Sequence, residues 1–265
     1  MIPSNLIINA DDFGLDERVS GAISQCLDEK LINSFSVFPF RDAFHKELLQ
    51  SILSRHPGVR VGAHLALVDG TLKEHPGHFR DFLTRYLTGR MPSYQIHDRW
   101  KSQIEILAGH LGKARRIAHL DSHQHLHILP GLWPVARSLQ HAFRIPRLRV
   151  PYESVRRSVT YRFPFGLGMQ VLARLRADAE SPGFMGFFSS TSFTLRANHA
   201  ALEQVLLQPH RTFELMVHPA LPAEAASRGG GETSGAAVSQ VAPSQEAEMA
   251  ELRLAGEFFD RAACA

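Results

Sequence analysis

The stretch NLIINADDFGLDERVSGAISQCLDEKLI, residues 5–32, carries the reading on which the fold turns. Its first six residues form a short, β-branched apolar run, the composition of a buried strand. From Asp16 the period changes, and Val19, Ile23, Cys26 and Leu27 fall on one helical face. A strand that runs directly into a helix is the repeating unit of a parallel sheet. The unit recurs downstream. SFSVF (34–38) reads as a second strand, DAFHKELLQSILSRH (42–56) as a helix with Phe44, Leu48, Ile52 and Leu53 inward, and VRVGAHLAL (59–67) as a third strand.

Beyond a Gly/Pro-punctuated stretch at 70–93, DRWKSQIEILAGHL (98–111) sets Trp100, Ile104, Leu107 and Leu111 at helical spacing. RIAHLDSH (116–123) reads as the next strand with its exit loop, and Pro130 opens a helix over 130–142. RLRVPYE (147–153) is strand-like up to Pro151, SFTLRA (192–197) is a further short strand, and TFELMVHPA (212–220) is the last. Residues 223–243 are rich in Gly, Ser and Ala, which predicts a flexible surface loop before the terminal helix at 245–261. The alternation predicts an α/β fold: a distorted or incomplete (β/α) TIM-like barrel, with residues 1–265 as a single domain.

Composition narrows the function. Lys and Arg total 29 against 26 Asp and Glu, a net charge of +3, which makes no case for nucleic acid. The two cysteines, Cys26 and Cys264, suit a reducing compartment, and no run of about 18 apolar residues crosses a bilayer. The start lacks a basic segment followed by an apolar core, so the expectation is a cytoplasmic protein. One segment complicates this: residues 156–176 combine Phe163, Phe165, Leu167, Met169, Val171, Leu172 and Leu175 with arginines 156, 157, 162, 174 and 176. It suits either peripheral contact with an anionic membrane or a lipid-linked substrate, or a helix packed on the barrel with solvated arginines. A homodimer stays open on the sequence.

In parallel α/β architectures, sites gather at the carboxyl ends of the strands. Here the first strand ends in Asp11 and Asp12, the third carries His64, the fourth runs into Asp121, His123, His125 and His127, and the last ends in His218. Singly, each has a plain structural explanation: an Asp pair makes a turn or cap, and a lone strand histidine bonds to backbone in a core. Three histidines at alternate positions would share one face of a strand. Jointly, carboxylate and imidazole at one rim suit a divalent ion with open positions for water and substrate, the arrangement of a catalytic metal.

IINADDFGLDERVSGAI, VGAHLAL, HLDSHQHLH, RVPYE and ELMVHP, in this order over residues 5–220, resemble the YdjC-like family of carbohydrate deacetylases. That family includes chitooligosaccharide deacetylases and relatives linked to hopanoid biosynthesis. The resemblance implies a distorted (β/α) barrel acting on an N-acetylated sugar with one divalent ion, Mg²⁺ or Zn²⁺. It implies Asp12, His64 and His123 as metal ligands, Asp11 as general base and His218 as general acid. Asp121, His125, His127, Arg149 and Glu153 take substrate or supporting roles, although for Arg149 and Glu153 a surface ion pair is an equal reading. The chain departs from the pattern with HPA, where the family tends to have HPG, after His218. A phosphoesterase on the same barrel and a non-catalytic sugar-binding protein remain the competing functions. Since successive residues of a strand point opposite ways, Asp11 and Asp12 can serve one site only if the chain bends there, and Gly14 permits a bend.

Overall fold

A computed structural model describes residues 1–38, 44–68, 79–113, 115–153, 164–187, 193–222 and 243–263. Among them the alternation becomes six strands: β1 (Leu6–Phe13), β2 (Ser34–Val37), β3 (Arg60–Leu65), β4 (His119–Ser122), β5 (Gly183–Met185) and β6 (Phe213–Val217). All pair in parallel, in the order β4-β3-β2-β1-β6-β5. This order follows the chain around a circle with one seam, between β4 and β5. It is an incomplete (β/α) barrel, as the alternation predicted.

At the seam the expected strand at 147–153 shrinks to a single bridge, Leu148 beside Leu120. Leu120 N–H donates to the Arg147 carbonyl at 2.8 Å, and Arg149 N–H donates to the Leu120 carbonyl at 2.9 Å. Pro146 and Pro151 bracket this segment without N–H groups, which limits the ladder to its middle.

Helices α1 (Glu17–Asp28), α2 (Phe44–Arg55), α3 (Phe79–Leu87), α4 (Ser93–Leu111), α5 (Trp133–Ala142), α6 (Pro164–Arg176), α7 (Leu195–Leu207) and α8 (Pro243–Ala263) connect or follow the strands. Asp16 caps α1 by accepting from the Val19 N–H. Helix α3 lies within the Gly/Pro-punctuated stretch at 70–93. Of the strand expected at 192–197, the described residues 193–197 form none: Thr194 Oγ1 accepts from the Ala197 N–H at 3.3 Å and starts α7 instead. Phe193, Thr194 and Leu195 mimic a strand by composition, but the side-chain cap and the helix formers behind it win.

Of the arginine-rich segment, 156–163 lies outside the described residues, and α6 leaves Leu167, Val171 and Leu175 exposed. Residues 223–242 of the stretch expected as a Gly/Ser-rich loop, 223–243, and Cys264 also lie outside them. Cys26 is a buried thiol, pushed up to about 12 by burial. Among the described residues no helix is long and apolar enough to cross a membrane.

The two faces of the sheet differ sharply. Ile8, Ala10, Phe35, Val37, Val61, Ala63, Leu65, Leu120, Leu215 and Val217 join an apolar core with Val19, Ile23, Trp100, Ile104 and Leu107 of α1 and α4. The alternate positions carry the polar residues: Asn9 and Asp11, Ser34 and Ser36, His64, His119 and Asp121, and Glu214, all buried. Parallel register sets Ser36 beside Gly62, Gly62 beside His119, and His64 beside Asp121, so these side chains share one face. It is the concave face, because Arg149 at one edge reaches Glu214 on β6 across the sheet.

Gly62 makes room inside this layer. A Cβ at that position would lie 2.2 Å from the His119 ring, whereas one at Gly58 would meet nothing within 4 Å. Gly62→Ala should therefore lower the unfolding free energy by about 1–3 kcal/mol, the usual cost of overpacking. Gly58→Ala should change it little; equal melting temperatures for the two variants would contradict the layer described.

Candidate metal centre

The site begins with an irregularity in β1. Ala10 pairs with Phe35 but Phe13 with Val37, so β1 carries one residue more than β2 between these points. The extra residue bends the chain at Asp12, whose φ is 70°, a left-handed conformation that Asp tolerates better than most side chains. Gly14, at φ 96°, completes the turn, and its N–H donates to Ser20 Oγ at 3.0 Å. The bend anticipated at this pair thus falls on Asp12 itself. It lets neighbouring carboxylates serve one site.

Asp12 Oδ1 stands 3.1 Å from His64 Nε2 and 3.2 Å from His123 Nδ1. Ligand-capable atoms of Asp12, His64 and His123 all lie within 4.8 Å of one another, an arrangement that could hold a metal ion. The His64 ring is oriented from behind by Asp121 Oδ1, 2.7 Å from Nδ1, which leaves Nε2 facing Asp12. Phe38 packs edge-on against both imidazoles, with ring centroids 4.9 and 5.2 Å away.

Asp11, His64 and Asp121 form a second, overlapping group within the same 4.8 Å. A cation already sits there. The fully buried Arg149 guanidinium gives Nη1 to Asp11 Oδ2 at 2.6 Å and Nη2 to Asp11 Oδ1 at 2.8 Å. Nη2 also lies 2.9 Å from Asp121 Oδ2, and Nε donates to Glu214 Oε1 at 2.8 Å. Arg147 pairs with the other oxygen of Glu214. Asn9 Nδ2 donates to Asp11 at 2.7 Å, and Ser36 Oγ donates to Asp121 at 2.6 Å. The surface ion pair considered for Arg149 is therefore excluded: its partners are three interior carboxylates. Glu153 stands elsewhere, lining a cavity of about 550 Å³ at the seam with Tyr152, Arg174 and Arg211.

Charge follows contact. Burial would raise the Asp12 carboxyl, but His123 and His64 hold it well below the usual carboxylate range. Burial likewise opposes ionisation of Asp121, and Arg149 and His64 overcome it. Burial would lower His64, yet Asp121, Asp12 and Asp11 push it up to about 10. The carboxylates thus demand positive charge where His64 Nε2 meets Asp12.

The three alternating histidines do not share a face. The chain leaves the strand at Ser122 and turns through the irregular 3₁₀ segment His123–Ile128, with Gln124 at φ 56° and His125 at φ 55°. Two successive left-handed residues break the period-two geometry, and the rings separate. His123 faces Asp12. His127 is saturated: Nδ1 meets Ser122 Oγ at 2.6 Å and Nε2 meets the Arg149 carbonyl at 2.8 Å, which leaves no nitrogen for an ion. His125 stacks on Phe187 at 5.3 Å, and its buried Nδ1 has no partner among the described residues. The same holds for His218 Nδ1, whose ring is lowered by burial against the pull of Asp12 and Asp11.

Asn9, Ser36, His119, Glu214 and Glu248 were not singled out in the sequence. The first four were readable as polar residues at alternate positions of otherwise apolar strands, a signal of a barrel lined with polar groups. Glu248 gave none.

The class is thus an incomplete (β/α) barrel with a two-histidine, one-carboxylate group at the carboxyl rim. The chain belongs to the YdjC-like protein family, whose model matches residues 5–255. A carbohydrate deacetylase of Brevibacillus brevis is 25% identical over 84% of each chain. A chitooligosaccharide deacetylase of Serratia marcescens is 25% identical and one of Escherichia fergusonii 28%, each over 81% of both chains. A solved structure from Enterococcus faecalis, provisionally assigned to cellobiose-phosphate cleavage, superposes with a TM-score of 0.65 at 21% identity, over 95% of this chain and 93% of that one. This likeness supports the fold.

Arg147 and Arg149 hold Glu214 at about 2 although burial opposes it, below the value of 4.5 it has when exposed. Its stabilising contribution is therefore present above about 4.5 and lost as pH falls toward 2. Glu214→Gln should cost about 3–5 kcal/mol at pH 7, since it leaves buried cationic charge uncompensated. Denaturant melts should show the gap to the parent chain narrowing between pH 4.5 and 2; a gap independent of pH would disprove this role.

Proposed function

We propose that the chain is a metal-dependent hydrolase that removes the acetyl group from an N-acetylated amino sugar and releases acetate. The observation that carries this reading is the Asp12–His64–His123 group at the rim, set beside an Asp11 held by Arg149. Curated relatives named carbohydrate and chitooligosaccharide deacetylases over most of both chains support the reaction and the substrate class.

One carboxylate and two imidazoles fit a divalent ion of borderline character such as Zn²⁺, while Mg²⁺ prefers more oxygen donors. Asp121 orients one imidazole, as the support of a metal-ligating histidine does. An ion held there supplies Lewis acidity toward the acetyl carbonyl. Arg149 fills the neighbouring carboxylate group with its guanidinium, which favours a one-metal hydrolase over a two-metal phosphoesterase.

The remaining chemistry is assigned to the chain's own side chains. Asp11 Oδ1 accepts from both Arg149 and Asn9, whereas among the described residues Oδ2 accepts from Arg149 alone and lies 4.0 Å from His64 Nδ1. We assign Oδ2 the role of accepting the proton of the attacking water. His218 delivers a proton to the departing amine, and its unpartnered ring nitrogen is the kind of buried group a substrate satisfies. Asp121, Arg149 and His127 act as supports, and His125, stacked on Phe187, faces the sugar.

Acetate release from N-acetylated oligosaccharides and glycolipids, with and without chelator, tests the reading as a whole; turnover that survives complete metal removal would refute it. Asp11→Asn should retain the ion and lower kcat about 10²–10⁴-fold, the usual reach of general base catalysis. His123→Ala should lose the ion by elemental analysis. Loss of the ion in Asp11→Asn with turnover intact would overturn the base assignment of Asp11 and, with it, the metal-dependent reading.

A further inference from the structure

The residue after β6 is held by a helix far along the chain. Glu248 lies in the second turn of α8 and is 0% exposed. Its Oε2 accepts the His218 backbone N–H at 2.5 Å, and its Oε1 accepts the Phe193 N–H at 3.1 Å. Around it, Gln245 Nε2 donates to the His218 carbonyl at 3.1 Å, and the Gln245 carbonyl accepts from the Ala220 N–H at 3.2 Å. Arg18 of α1 brackets the far end: Nε donates to the Leu221 carbonyl at 2.7 Å, and its own carbonyl accepts the Leu221 N–H at 3.1 Å.

Segment 218–221 therefore takes its position from α8 and α1, not from the sheet. A buried carboxyl whose described partners are two backbone N–H groups, with no cation, is a costly device for packing a helix. Burial pushes this one up to about 8. An apolar residue would seal the interface at less expense, so the carboxyl is explained by what it holds.

We propose that Glu248 is a positioning residue for His218, fixing the backbone from which that imidazole reaches the rim beside Asp12. The proposal rests on the His218 assignment above. It gives the C-terminal helix a role in proton delivery that its distance in sequence conceals.

A double-mutant cycle with an imidazole readout tests it. In the metal-loaded full chain, Glu248→Ala should lower kcat for acetate release about tenfold or more, with KM and metal content unchanged. In a His218→Ala background the same change should cost less than about twofold, because its effect passes through the missing ring. Glu248→Gln, close in size and able to accept only one of the two N–H groups, serves where the alanine variant does not fold. Its His218 ring signals in ¹⁵N NMR, assigned by their loss in His218→Ala, should shift or broaden while those of His127 stay.

Equal losses in both backgrounds, or unmoved His218 signals, would overturn the proposal. Moved signals, together with full turnover in His218→Ala, would keep Glu248 as the positioning residue and remove His218 as the acid.

Discussion

The barrel is organised around one buried guanidinium. Arg149 touches Asp11 from β1, Asp121 from β4 and Glu214 from β6, and so joins strands across the concave face of the sheet and across its seam. Exposed ion pairs contribute about 0–1 kcal/mol, but removing one partner of a buried pair costs about 3–5 kcal/mol because a charge is left without water or counterion. The network is therefore a constraint more than a source of stability. It demands that the carboxylates, the seam segment and the curvature of the sheet coexist.

That demand accounts for features that look unfavourable one at a time. Polar side chains line the interior of a barrel that apolar layers usually fill. Gly62 gives up its side-chain volume to the His119 ring, and Ser36 bridges His119 and Asp121. Asp12 accepts a left-handed backbone so that two adjacent carboxylates can take different partners, Arg149 for one and the two imidazoles for the other. Strain and buried charge concentrate where the chemistry is placed, the usual location of local exceptions to good packing.

The site is consequently supported on two sides by different means. Below the rim, hydrogen-bonded carboxylates fix His64 and Asp11 through rigid strands. Above it, the His218 segment hangs on α8 and α1 through backbone hydrogen bonds. The YdjC-like family model reaches residue 255 and so takes in both Glu248 and Gln245. The matched stretch thus spans that clamp together with Asp12, His64 and His123.

Much of this was legible in the linear chain. Alternation of apolar strands with amphipathic helices determines a parallel α/β sheet, and the rule that sites gather at strand ends picks out Asp11, Asp12, His64, Asp121, His123, His125, His127 and His218. Polar residues at alternate positions of β1, β2, β3, β4 and β6 also record the lined interior, since strand geometry has a period of two whatever surrounds it. Tertiary structure alone decided the rest. HLDSHQHLH offers four equivalent imidazoles until two left-handed residues separate them, and only then does His123 meet Asp12 while His127 is consumed by Ser122 and the Arg149 carbonyl. Arg149 reads equally as a site residue or a surface charge until the seam buries it, and Glu248 as one more helix carboxylate until α8 docks on the loop after β6. Local pattern sets which way a side chain points from its own backbone; which charge it meets depends on contacts between separate elements, 138 positions apart for Asp11 and Arg149, and those exist only once the sheet has curled.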